Sequence, residues 1–239
     1  MMMNNPDNTM NQARSYFAEK SPKLVMYDLD GTLVDSASDL AVATNFMLND
    51  LGRPTAREED VRIWIGNGIP SLVKRALAND MSGDQPHQVD DALFDRAHEL
   101  FNQHYDREVG KHSQLYPGVA TFLTAMTRRG IKQVVITNKS AQFTEKLLKL
   151  LNIHQHFDLF LGGDSLVEKK PHPMPLLHAV NQCAVRKEEA LMIGDSCNDI
   201  KAARSAEIAV IALPYGYNHG VPIEHSSPDL VVDTLDLLL

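Results

Sequence analysis

Carboxylate, hydroxyl and ammonium side chains recur at or close to the ends of short apolar segments of this chain. They belong to Asp28, Asp30, Thr137, Asn138, Lys170, Asp195 and Asp199. Carboxylates that converge on one place repel one another and raise each other's pKa values. A hard divalent cation with oxygen ligands relieves that repulsion, and Mg²⁺ is the usual ion where a phosphate completes its coordination shell. These residue types therefore predict a Mg²⁺ site that acts on a phosphate group.

One of these carboxylates is expected to take part in the reaction itself. A carboxylate can attack phosphorus to form an aspartyl-phosphate, which divides one difficult step into two easier ones. Phosphoryl transfer also needs in-line positioning and positive charge around the equatorial oxygens. The Lys170 ammonium, the Thr137 hydroxyl and backbone N–H groups after the first apolar segment would contribute to that charge.

Short apolar segments that alternate with amphipathic helices must position these side chains. After a first predicted strand at 23–29, the predicted strands are 133–137, 159–161, 190–194, 208–213 and 230–232. The helices predicted between them are 119–129, 141–151, 174–184 and 199–205. This alternation is typical of a parallel sheet covered by helices on both faces, with the ligand at the carboxyl ends of the strands. The fold class is therefore α/β, with a Rossmann-like core.

A block of helical periodicity interrupts this pattern directly after the first strand. Its apolar residues lie on three successive helical faces, and no strand pattern separates them. We therefore predict an α-helical cap domain at 39–112, inserted into a core formed by 21–38 and 113–239. Residues 1–20 are polar and are predicted to form a flexible tail, with a short helix over Ala13–Glu19 as the alternative.

Composition limits the classes of partner. The 239 residues carry a formal net charge of −8, which argues against nucleic acids and anionic membranes as partners. The two cysteines form no zinc or disulfide pattern, and no apolar run is long enough to cross a membrane. The absence of a signal-peptide pattern predicts a cytoplasmic protein. A small anionic substrate fits if a local positive centre binds it, and either a monomer or a homodimer is compatible with the sequence.

Four segments together resemble the motifs of the haloacid dehalogenase superfamily in its phosphatase form. They are Asp28-Leu29-Asp30-Gly31-Thr32, Thr137-Asn138, Lys170-Pro171 and Gly194-Asp195-Ser196-Cys197-Asn198-Asp199. The helical block also resembles the first type of cap in that superfamily. Further segments resemble bacterial phosphoglycolate phosphatases, namely Trp64-Ile65-Gly66-Asn67-Gly68, Gly162-Gly163-Asp164, Lys169-Lys170-Pro171-His172-Pro173 and Tyr215-Gly216-Tyr217-Asn218.

This resemblance implies a role for each residue and an Mg²⁺-dependent hydrolysis of 2-phosphoglycolate to glycolate and phosphate. Asp28 would be the nucleophile, and Asp30 would protonate the leaving oxygen and then activate water. Lys170, rather than its neighbour Lys169, would join Thr137 and Asn138 at the phosphoryl group. The implied metal residues are Asp28, the backbone carbonyl of Asp30, Asp195 and Asp199, the last either as a ligand or as an anchor for Lys170.

The cap supplies a hypothesis for the second anionic group of the substrate. The turn Gly66-Asn67-Gly68 opens a helix near Ile69, and backbone N–H groups at a helix N-terminus bind anions. The substrate carboxylate would dock there, with Arg75 or Lys74 as a further contact.

Two alternatives remain open from the sequence. One is a phosphatase or phosphotransferase of the same fold that acts on a sugar phosphate. The other, from a different class, is a phospho-accepting regulatory module, which also places acids, a threonine and a lysine at the ends of parallel strands. The second acid, Asp30, and the large cap argue for an enzyme.

Overall fold

The computed structural model of the chain describes residues 6–20, 22–85 and 88–239. The strands are β1 (Leu24–Tyr27), β2 (Val34–Asp35), β3 (Gln114–Leu115), β4 (Lys132–Ile136), β5 (Leu159–Leu161), β6 (Ala190–Gly194), β7 (Ala209–Ala212) and β8 (Leu230–Val231). The helices are α1 (Pro6–Lys20), α2 (Ala37–Asp50), α3 (Glu58–Trp64), α4 (Ile69–Ala78), α5 (Asp91–Glu108), α6 (Val119–Arg128), α7 (Ala141–Leu150), α8 (Met174–Gln182) and α9 (Cys197–Ala206).

Six strands form one parallel sheet in the order β5-β4-β1-β6-β7-β8. The central strand β1 is fully buried, and its successive side chains enter two different apolar clusters. Val25 and Tyr27 join one cluster, while Leu24 and Met26 join the other, as the two-residue period of a strand requires. The sheet is thus covered on both faces, and the predicted α/β class with a Rossmann-like core is confirmed.

Helices α2 to α5 lie between the two short strands β2 and β3, which pair antiparallel. Their apolar faces pack together, with Met47, Phe101 and Tyr105 fully buried. The chain therefore leaves the core along β2 and returns to it along β3. These two strands pair with Val34 opposite Leu115. Within the described residues, no helix has the length and apolar character needed to cross a membrane.

The structure differs from the sequence-based expectation at the amino terminus. Residues 6–20 form α1 instead of a flexible tail, and this helix is longer than the alternative at Ala13–Glu19. Ala13 and Phe17 are buried, and the Phe17 ring meets the ring of Phe122 edge-on at 5.8 Å between centroids. Residues 1–5, the rest of the predicted tail, lie outside the described residues.

Candidate active site

Three parallel strands bring the motif residues to one edge of the sheet. Asp28 follows β1, Thr137 follows β4 and Asp195 follows β6. The neighbouring strands are held in register, and the Asp28 N–H donates to the backbone oxygen of Ile193 at 3.0 Å. The carboxyl ends of adjacent strands therefore place these side chains together.

A buried lysine joins two of the carboxylates. The Lys170 ammonium lies 2.8 Å from Oδ1 of Asp28 and 2.6 Å from Oδ1 of Asp199. Burial alone would lower the pKa of Lys170, but the charges of Asp199 and Asp28 outweigh it and raise the pKa above the usual value. Lys170 is therefore the charged residue beside Asp28, whereas the Lys169 ammonium donates to the backbone oxygen of Asn67 at 2.8 Å.

Asp199 is occupied on both of its oxygens. Oδ1 accepts from Lys170, and Oδ2 accepts from the backbone N–H of Ser196 at 3.0 Å and from its hydroxyl at 2.7 Å. The same contacts cap the start of α9, because Ser196 and Asp199 form a reciprocal capping box. Of the two roles implied for Asp199, this arrangement favours the anchoring of Lys170.

Asp195 is held from two sides of the core. Its Oδ1 accepts from the Thr32 hydroxyl at 2.5 Å, and its Oδ2 accepts from the Tyr217 N–H at 2.6 Å. Burial, and after it the negative charges of Asp28 and Asp199, raises the pKa of Asp195 well above its ordinary range. Gly31 and Gly216 lie so close to this carboxylate that a Cβ on either would collide with it.

The donor set at this edge fits a hard divalent cation. Asp28, Asp195 and Asp199 each offer an oxygen, and these oxygens lie within 4.8 Å of one another. Burial raises the pKa of Asp28 to about 7, against the partly compensating effect of Lys170. One ammonium thus does not offset the three carboxylates, which is the imbalance that a bound Mg²⁺ would remove.

The Asp30 side chain has a separate set of partners. It accepts from the Ser36 hydroxyl at 2.5 Å and from the Lys139 ammonium at 2.9 and 3.1 Å. Lys139, which is only 4% exposed, was not predicted from the sequence, because nothing in the motif Thr137-Asn138 indicates that the next residue turns inward. The signal available in the sequence was its position, directly after a strand-end motif.

A small cavity of about 30 Å³ lies between this edge and the cap. Its polar wall consists of Asp28, Asp30, Thr137, Asn138 and Lys139. Its cap-side wall consists of Leu40, Ile65, Gly66, Gly68, Ile69 and Leu72. The two proposed reacting carboxylates therefore face a small space that is apolar on the opposite side.

The predicted cap residues are divided between two locations. Gly66 and Gly68 line the cavity, whereas Asn67 and Arg75 do not. Arg75 is buried within the cap, where its guanidinium donates to the Trp64 backbone oxygen at 2.7 Å and to Oδ1 of Asn67 at 3.0 Å. It also pairs with Asp84 at 2.9 Å. These contacts hold the turn in shape and leave Arg75 away from the reacting groups.

Comparisons with known proteins identify the family. The family sequence model for haloacid dehalogenase-like hydrolases matches residues 25–213. The chain belongs to this family. Its relatives include the phosphoglycolate phosphatase of Nitrosococcus oceani, which is 46% identical over 216 residues, covering 90% of this chain and 94% of the relative. Another is phosphoglycolate phosphatase 1 of Pseudomonas aeruginosa, 42% identical over 96% of this chain and 83% of the relative.

Solved structures of this hydrolase family have the same fold. The crystal structure of a predicted phosphoglycolate phosphatase from Haemophilus somnus superposes with a TM-score of 0.84 at 38% identity. It covers 90% of this chain and 96% of that one. The recognition of the superfamily from the motifs is confirmed, as is the prediction of a phosphoric monoester hydrolase.

Proposed function

We propose that this chain is an Mg²⁺-dependent phosphatase that hydrolyses 2-phosphoglycolate through an aspartyl-phosphate at Asp28. The observation that carries the proposal is the small cavity in which Asp28 and Asp30 face a common space beneath the cap. The relatives named phosphoglycolate phosphatase support the choice of substrate. We also propose that residues 39–112 act as the cap domain.

The first chemical step forms a bond between an Asp28 carboxylate oxygen and phosphorus and breaks the bond from phosphorus to the ester oxygen. Lys170 lies beside Asp28 and orients the carboxylate while its charge attracts the phosphoryl oxygens. Thr137 and Asn138, at the same wall, are the proposed further contacts of the phosphoryl group. Asp30 gives its proton to the departing ester oxygen, so that glycolate leaves as an alcohol.

The second step returns the enzyme to its starting state. Asp30, now ionised, takes a proton from a water that attacks the phosphoryl group, and the acyl-phosphate bond to Asp28 breaks. Ser36 and Lys139 donate to Asp30 and orient it, and they stabilise its carboxylate once the proton has left. Asp28, the Asp30 backbone carbonyl and Asp195 would hold Mg²⁺, which supplies positive charge that offsets the carboxylates and the phosphate.

The size of the cavity supports a small leaving group. The space of about 30 Å³ is little more than a water molecule or two would fill. The apolar cap wall leaves little space beside Asp28 and Asp30, so a two-carbon acid fits this site with less displacement of the wall than a sugar phosphate.

The test is kcat/KM over a panel of phosphate monoesters, with Mg²⁺ and with EDTA. We expect 2-phosphoglycolate to be preferred over sugar phosphates by about tenfold or more, equivalent to about 1.4 kcal/mol of transition-state binding. Asp28→Asn should abolish turnover, and the exposed Asp95→Asn should leave it unchanged. Intact-mass analysis after a rapid quench should detect a phosphorylated wild type and no adduct on Asp28→Asn.

Two results would contradict parts of the proposal separately. A preference for sugar phosphates would remove the substrate assignment and leave the chemistry at Asp28. Full turnover by Asp28→Asn would remove the mechanism itself.

A further inference from the structure

We propose that Lys139 is the cation that binds the second anionic group of the substrate, the carboxylate of the leaving portion. The inference rests on the proposed function and assigns a specificity-determining residue to it. It moves this role from the cap turn, where the sequence suggested it, to the core.

Lys139 is fixed at the wall of the cavity by its own backbone. Its N–H donates to the Thr137 hydroxyl at 3.2 Å, and its carbonyl accepts from the Gly163 N–H at 2.7 Å. Gly162 packs so closely that a Cβ there would lie 2.8 Å from the Lys139 carbonyl oxygen. The tandem glycines after β5 thus hold the segment that follows Thr137, and they direct the lysine side chain inward.

The ammonium of Lys139 lies between the core and the cap. It donates to both oxygens of Asp30, and it lies 4.8 Å from the ring centroid of Tyr105 in α5. A lysine ammonium has three N–H donors, two of which face Asp30 while the third lies toward the Tyr105 hydroxyl. Because the side chain lines the cavity, a carboxylate that enters this space can replace the Tyr105 hydroxyl as the acceptor.

The other nearby cations, Lys169, Lys170 and Arg75, do not line the cavity. Lys170 is paired with two carboxylates, and Arg75 is paired with Asp84. Lys139 is the only cation among the described residues that line the cavity. A carboxylate that entered against the apolar cap wall without this cation would lose its hydration and gain no compensating charge.

The position of Asp30 connects Lys139 to the leaving group. Asp30 must come within hydrogen-bond distance of the ester oxygen to protonate it. In 2-phosphoglycolate a single methylene separates that oxygen from the carboxylate carbon. A substrate carboxylate therefore lies a few ångströms from Asp30, and the ammonium that already binds Asp30 at 2.9 Å is placed to bind both.

Two esters of matched size separate this role from a general loss of activity. One is 2-phosphoglycolate and the other is 2-hydroxyethyl phosphate, in which a hydroxymethyl group replaces the carboxylate. Lys139→Met should lower kcat/KM for both esters, because Asp30 loses a partner. It should lower kcat/KM for 2-phosphoglycolate by about tenfold more, the size expected for a lost charged hydrogen bond.

Lys139→Arg keeps the charge and should retain part of the preference for the acid, and Lys149→Met on the exposed side of α7, which pairs only with Glu145 of the same helix, is the matched control. Binding gives a second readout. In the Mg²⁺-loaded enzyme, Lys139→Met should weaken inhibition by 3-phosphonopropionate, a non-hydrolysable analogue of the acid, by about tenfold. Inhibition by 3-hydroxypropylphosphonate should change little.

An equal loss for both esters would show that Lys139 acts only through Asp30 and would overturn the proposal, as would unchanged kinetics in Lys139→Met. A wild type that hydrolyses 2-hydroxyethyl phosphate as well as the acid would instead overturn the proposed substrate, and this inference with it.

Discussion

At the scale of single residues, Asp195 depends on two glycines as much as on its hydrogen bonds. Gly31 has a φ of +92°, and a Cβ at this position would collide with the Asp195 carboxylate. Gly31→Ala should therefore displace a proposed metal ligand. We expect kcat/KM to fall by about 100-fold, the scale of a misplacement of about 1 Å in a catalytic group, and the Mg²⁺ concentration for half-maximal activity to rise.

Gly130→Ala is the control for this substitution. Gly130 also has a positive φ, +68°, but a Cβ there would have no neighbour within 4 Å. Both variants should lose about 1 kcal/mol of stability from backbone strain, and only Gly31→Ala should lose activity. Equal effects of the two variants on the Mg²⁺ requirement would show that the contact with Asp195 does not matter.

Some of these residues could be predicted from the sequence and others could not, for a physical reason. Asp28, Asp30 and Asp195 were predictable because parallel strands end at one edge, so position in the chain determines position in space. Lys139 was missed because burial of its side chain depends on Gly162 and Tyr105, which are distant in sequence. Arg75 was expected at the substrate, because helical spacing does not reveal that its guanidinium binds Trp64, Asn67 and Asp84 within the cap instead.

At the scale of elements, the end of α3 and the turn that follows it are held against the core through their carbonyl oxygens. Lys169 donates to the oxygen of Asn67, Asn138 to that of Gly66 at 3.0 Å, and His219 pairs with that of Ile63 at 2.8 Å. The core side chains thus bind this part of the helical insertion against the edge of the sheet. This turn also supplies Gly66 and Gly68 to the cavity wall.

Lys169→Met should weaken the attachment of this turn to the core while leaving Asp28 and Lys170 in place. We expect kcat/KM for the preferred ester to fall by about fivefold to tenfold, the size expected for a single lost hydrogen bond. Amide hydrogen exchange at residues 65–68 should become faster in the same variant.

Lys187→Met, which removes a lysine paired with Glu207 at the surface, is the matched control. If exchange at residues 65–68 stays at the wild-type rate while activity falls, Lys169 acts in another way than by holding the turn.

Helices and strands with a clear pattern of apolar residues were predictable from the sequence. The limits of β5 and β6 agree with the predicted strands, and α6 and α7 each end one residue earlier than predicted. The helix α3 was not predicted because its seven residues include three acids and only a short apolar face. The strands β2 and β3 have two residues each and are too short to show a hydrophobic period. Only their pairing with each other defines them as strands.

At the scale of the whole molecule, part of the excess acidic charge lies buried where the proposed metal would bind. The chain has a formal net charge of −8, and three buried carboxylates share one edge of the sheet. Burial raises the pKa of Asp28 from 3.8 to about 7 in the folded protein. The folded state therefore holds this proton more tightly than the unfolded chain does.

The sign of the pH dependence follows from this difference. The contribution of Asp28 to stability is fully present below about pH 4, and it is lost as the pH rises through about 7. In EDTA, this contribution should therefore lower the melting temperature between about pH 5 and pH 8. Because Mg²⁺ binds the ionised carboxylates, it should restore more stability at pH 8 than at pH 5.

We expect millimolar Mg²⁺ to raise the melting temperature by about 3 °C more at pH 8 than at pH 5, as measured by scanning calorimetry. Asp28→Asn is neutral at every pH, so its melting temperature in EDTA should vary less over this range than that of the wild type. Asp195→Asn should lose most of the Mg²⁺ effect at both pH values, because it removes a proposed ligand. An Mg²⁺ effect of equal size at both pH values in the wild type would mean that the ion does not bind at these carboxylates. The acidic edge of the sheet would then be held by Lys170 and the surrounding hydrogen bonds alone.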